Sequence, residues 1–160
     1  LKGKPIAEGS TLGAEYMKAL YATAAAAQRP MPKPEREVLD MWGGEIFVFP
    51  NLMILPQAGN AMIYRVRPHR SDPDRCIFEI LSTKTYPAAI EPPRATVERV
   101  TDPSAPEQLR LIPRQDLGNI PRMQRGLHSR GCKQIWLARY YEQIILHMHQ
   151  ELDRYLLAAG

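Results

Sequence analysis

With 160 residues, 44% of them hydrophobic, the chain has the length of one ordinary domain that buries about two-thirds of its unfolded surface. Its net charge of +4, from 21 basic and 17 acidic residues, is spread along the chain with no basic face interleaved with stacking aromatics, which argues against nucleic-acid binding. No stretch reaches the roughly 18 uninterrupted apolar residues of a membrane span, and two cysteines without CxxC spacing fit reduced, cytoplasmic surroundings.

The opening LKGKPIAEGS lacks an initiator Met and an apolar secretory core, so the chain is expected to be a portion of a longer protein. Residues 11–28, TLGAEYMKALYATAAAAQ, predict an Ala-rich helix capped by Ser10 or Thr11 and closed by Pro30, Pro32 and Pro34. Its apolar face is thin, with Leu12, Tyr16, Leu20 and Ala24, so a peripheral helix is expected. From Gly43 the composition turns β-branched and aromatic. GEIFVFPNLMILPQ predicts two short strands about Pro50-Asn51, AMIYRVRP a third and DRCIFEILSTKTY a fourth, with QAGN and HRSDPD as turns. Strands this close in sequence form an antiparallel meander. The Pro-rich YPAAIEPPRATVERVTDPSAPEQ is expected to be a surface connection containing one more short strand at residues 95–100.

In RQDLGNIPRMQRGLHSRG, residues 114–131, Ile120, Met123 and Leu127 continue a helical stripe from Ile112, and Asp116 is its one carboxylate. Two readings follow. Asn119 and Pro121 can mark a fresh helix start, with Asp116 capping a preceding turn. If a helix instead runs through Pro121, Asp116 faces inward, where an ionised carboxylate costs roughly several kcal/mol unless a cation or donors offset it. A metal is then the sharper partner.

From Tyr140 the pattern predicts an amphipathic helix of about five turns, with Tyr141, Ile145, Met148, His149, Leu152, Tyr155 and Leu156 on its apolar face. Laid against the meander, it gives an α+β domain in which an antiparallel sheet wraps a long C-terminal helix. The expected organisation is a single domain over residues 1–160: a peripheral helix and Pro-rich segment (1–42), a sheet (43–100), and the Asp116 and C-terminal helices (101–160). His147 and His149 are two residues apart and point in different directions, so they cannot chelate one ion together. His149 reads as a packed core histidine, and His128 as exposed. Glu142 reads as a first-turn carboxylate favoured by the helix dipole. No GxSxG, P-loop, GxGxxG or HExxH occurs.

The blocks EIFVFPNLMIL, AMIYRVRPHRSDPDRCIFEI, RQDLGNIPRMQRGLHSRG and YEQIILHMHQELDRYL, in that order, resemble the large-subunit catalytic domain of Rieske non-haem iron aromatic-ring-hydroxylating dioxygenases. The resemblance implies a helix-grip fold, here incomplete, and a mononuclear Fe(II) held by two His and one carboxylate. It also implies O2 as co-substrate and electrons from NAD(P)H, passed by a reductase or ferredoxin to a [2Fe-2S] Rieske cluster. Asp116, followed by Asn119 and Gln124, matches the carboxylate position, which makes it the expected catalytic and metal-binding residue. The family's Cys-x-His and Cys-x-x-His cluster ligands and its paired iron-binding His do not occur in this sequence. These groups are expected upstream, and the chain itself is expected to be an inactive C-terminal part of the catalytic domain. Phe47, Phe49, Asn51 and Met53, alternate residues about the first strand, are expected to line an apolar substrate gorge, with Trp42 and Met17 contributing to its lid. An aromatic small molecule is the expected substrate and a homotrimer the expected assembly, with no nucleic acid or membrane partner. The competing expectation is a non-catalytic helix-grip module that binds a hydrophobic or aromatic ligand.

Overall fold

A computed structural model describes residues 5–33, 35, 37, 44–57 and 59–158. Pro34, Trp42 and Gly43, singled out above, lie outside the described residues. The chain divides into two compact units, Leu1–Pro93 and Arg94–Gly160.

In the first unit, helix α1 spans Leu12–Ala26. Thr11 is its N-cap, and its hydroxyl accepts from the Ala14 N–H at 3.2 Å. That bond satisfies one of the first-turn N–H groups that no intrahelical carbonyl can reach. The helix ends where Gln28 adopts a positive φ of 53°, with the Arg29 N–H donating to the Ala24 carbonyl and the Gln28 N–H to the Ala25 carbonyl. This is a Schellman closure with Gln where Gly is usual. Beyond it the chain is tied back by the Tyr21 hydroxyl, which donates to the Pro32 carbonyl at 2.6 Å.

Four antiparallel strands follow in the order β1-β2-β3-β4: β1 Ile46–Val48, β2 Leu52–Gln57, β3 Asn60–Pro68 and β4 Cys76–Lys84. Register is continuous, pairing Gln57 with Asn60 at one hairpin and Pro68 with Cys76 at the other. The first hairpin closes through Gly59 at φ +79°, a left-handed conformation that costs other residues a Cβ clash. The second turns through His69 and Arg75, with the Asp72 carboxylate accepting from the Asp74 N–H at 3.0 Å. The meander therefore forms as the alternation predicts, but the strands end at Lys84. Residues 95–100 are exposed and form no strand, because four prolines around this segment remove ladder donors on both sides of it.

In the second unit, α2 spans Leu111–Leu127 and α3 spans Gln143–Ala158. Helix α2 runs through Pro121, so the reading with a fresh start at Asn119 is overturned. Pro113 sits in its first turn, where the missing N–H costs nothing. Helix α3 is shorter at its start than the periodicity predicts: Tyr140 and Tyr141 lie in a turn. There the Glu142 carboxylate accepts from the Ala138 N–H and the Gln143 side-chain amide donates to the Arg139 carbonyl. Glu142 thus anchors the turn that precedes the helix rather than its first turn.

Burial is where expectation and structure diverge most. Among the described residues the buried apolar positions are Ala24, Ala105 and Pro113, and the strands and helices otherwise carry half-buried or exposed apolar side chains.

Candidate functional site

Strand alternation and the continuous register sort the sheet residues into two faces. On one face, Phe47 pairs with Met53, Met53 with Tyr64, and Tyr64 with Ile80, so four side chains form one row across all four strands. Phe78 stands beside Tyr64, ring centroids 5.2 Å apart and planes inclined by 56°. On the other face the corresponding row is aliphatic: Ile46, Ile54, Ile63 and Leu81. Next to it, Glu79 accepts from Arg65 Nε at 2.6 Å and from Arg67 Nε and Nη2 at 3.0 and 3.1 Å. The Arg65 hydrogen bond first, and the Arg67 bonds second, hold the Glu79 carboxyl at about 2, below its ordinary range.

Two of the four residues expected to line a substrate gorge, Phe47 and Met53, are brought together as cross-strand partners. Phe49 and Asn51 belong to the β1–β2 turn about a cis Phe49-Pro50 bond rather than to a strand, because Pro50 cannot continue a paired strand, and the Asn51 carbonyl accepts from the Val66 N–H at 3.0 Å. The expectation that all four alternate along one strand is corrected accordingly. Met17 lies on α1, 38% exposed. Tyr64, Phe78 and Ile80 join the same face as Met53 and were not singled out from the sequence. The signal was present in the two-residue turn before Asn60, which fixes the register and hence the face of every later strand residue.

On α2 the helical stripe is present as read, but it is not buried: Ile112, Ile120, Met123 and Leu127 are 62, 40, 60 and 45% exposed, and Asp116 is exposed among them. The inward-facing carboxylate is therefore corrected to a carboxylate on an open helix face. It borders a shallow concavity shared with Asn119, Ile120, Arg122 and Met123. Asn119 Nδ2 lies 3.7 Å from Met123 Sδ. His149, expected in a packed core, is exposed on α3.

A mononuclear ferrous site of two imidazoles and a carboxylate needs three donors within about 2 Å of one point. The described residues contain no cluster of three or more His, Cys, Asp or Glu that could hold an ion. His128 follows Asp116 by twelve residues, at the far end of the same helix, about 18 Å along its axis. Among the described residues the chain's own donor set does not fit the ion by itself.

The fold and these surfaces define an α+β domain with an open four-stranded meander, one face of it rich in rings and thioethers, and a carboxylate exposed on a Pro-bearing helix. The chain belongs to the ring hydroxylating alpha subunit (catalytic domain) family, which it matches over residues 8–158. No curated protein and no solved structure matches it. Family membership makes the parent activity that of an oxidoreductase, an oxygenase acting on aromatic rings. Among the described residues no helix is long and apolar enough to cross a membrane.

Proposed function

We propose that this chain is the C-terminal part of the catalytic domain of a Rieske-type oxygenase that hydroxylates an aromatic compound with O2. The observation that carries this reading is the family match over nearly the whole chain. In the intact enzyme, Asp116 contributes one oxygen ligand to a mononuclear Fe(II) whose imidazoles come from outside residues 1–160. A ferrous ion held by a facial triad leaves positions open, and its contribution when bound is the activation of O2. Electrons come from NAD(P)H through a reductase or ferredoxin and a [2Fe-2S] cluster borne by another part of the protein. The intact enzyme is a cytoplasmic homotrimer. Alone, the chain is inactive and binds Fe(II) weakly.

The test supplies the intact enzyme and its reductase with an aromatic probe, benzoate, under 18O2. The expected result is ring hydroxylation with the label in the product and NAD(P)H consumed. Product carrying oxygen from water alone, or no oxidation of any aromatic probe, contradicts the proposal.

A further inference from the structure

We propose that the concavity on α2 is an anion subsite, so that the aromatic compound taken by the intact enzyme is one that carries a carboxylate. This rests on the oxygenase reading and names its substrate class. Helical spacing sets Arg114, Gly118 and Arg122 in one row, each a turn from the next, and all three line the concavity. The two arginines therefore stand about 12 Å apart along the axis with no side chain between them. A Cβ added at Gly118 would meet nothing within 4 Å, so the space over the backbone there is open. Glycine inside a helix weakens it relative to alanine, and what it gives in exchange is close approach to the main chain.

The groups around that gap are donors. Gln115 and Asn119 add amide N–H groups to the two guanidiniums, and Asn119 Nδ2 has Met123 Sδ at 3.7 Å, a weak acceptor that a carboxylate oxygen displaces. Arg65 and Arg67 are matched to Glu79, and Arg154 to Glu151, whereas among the described residues no ion pair engages Arg114 or Arg122. A planar guanidinium presents paired N–H groups that fit the two oxygens of a carboxylate. Asp116, two positions before Gly118, lies toward the other side of the helix, which keeps a carboxylate held over Gly118 apart from it. Ile120 and Met123, 40 and 60% exposed, border the same concavity and offer apolar surface to a ring. An inorganic anion would leave that border uncovered, whereas an arenecarboxylate uses both parts.

The experiment measures binding of benzoate and of benzamide, its uncharged counterpart, to the intact enzyme by equilibrium dialysis, and oxidation of both separately. The wild type should bind benzoate the more tightly. Arg122→Gln should weaken benzoate by about ten- to a hundredfold, the size of a lost hydrogen bond to a charged group, and leave benzamide within about twofold. Gly118→Ala should weaken benzoate by about tenfold while raising the melting temperature, since alanine favours the helix; it carries the same test if Arg122→Gln does not fold. Arg125→Gln, on the same helix but outside the concavity, should leave both affinities unchanged. A wild type that binds benzamide as tightly as benzoate, or neither, overturns the proposal, and so does a benzoate affinity lowered as much by Arg125→Gln as by Arg122→Gln. A wild type with the expected preference that oxidises neither compound overturns the oxygenase reading alone.

Discussion

Gly59 is the hinge of the hairpin that carries Met53 and Tyr64, and its replacement by alanine has a cost that can be worked out in parts. At φ +79° a non-glycine residue pays about 1–2 kcal/mol for the Cβ–carbonyl clash of the left-handed conformation. Relief by rotating the backbone is blocked, because the Gly59 carbonyl accepts from both the Thr85 N–H at 2.9 Å and the Thr85 hydroxyl at 3.2 Å. The new Cβ would also lie 2.7 Å from Met31 Sδ, forcing that flexible side chain off its preferred rotamer for roughly 0.5–1 kcal/mol more. Gly59→Ala should therefore destabilise the first unit by about 2 kcal/mol, equivalent to a melting temperature lower by about 10 °C for a unit of this size. Thermal melts followed by circular dichroism measure it. Adding Met31→Ala should recover only the smaller, contact part of the loss. A Gly59→Ala melting temperature within about 2 °C of the wild type would refute the strain argument.

The depressed Glu79 carboxyl makes a pH-dependent contribution that is complete above its ordinary value of 4.5 and is lost as pH falls toward about 2. Urea midpoints should accordingly fall between about pH 5 and pH 3 more steeply in the wild type than in Glu79→Gln, and parallel profiles would contradict this. Gln28→Gly should stabilise the α1 closure by about 0.5–1 kcal/mol, because glycine adopts the positive φ at Gln28 without a Cβ penalty, and a melt that falls instead would contradict it. His149→Ala should change stability by less than about 0.5 kcal/mol, as for other exposed sites, so a loss above about 1 kcal/mol would show that the ring is covered in solution.

The strands were legible because their signal is local. Alternation in AMIYRVRP and CIFEI and the two-residue turn before Asn60 fix both the elements and their pairing. Helix α2 was legible in period but ambiguous at Asn119 and Pro121, since a proline can open a helix or be carried inside one, and only the finished helix distinguishes them. Phe49 and Asn51 fall in a turn rather than in a strand, because Pro50 interrupts the pairing between them. The burial of Asp116 and His149 was inferred from stripes, and a stripe reports which face seeks cover, not which segment supplies it. The ring-rich row was missed for a related reason: its members are 33 residues apart in sequence, from Phe47 to Ile80, and meet only through the register.

The assignment of Asp116 is the account's central claim, and iron content tests it most directly. In the intact enzyme, Asp116→Ala should lose its mononuclear iron by metal analysis while the reduced [2Fe-2S] cluster keeps its wild-type electron paramagnetic resonance signal. Wild-type mononuclear iron in that variant would contradict the assignment.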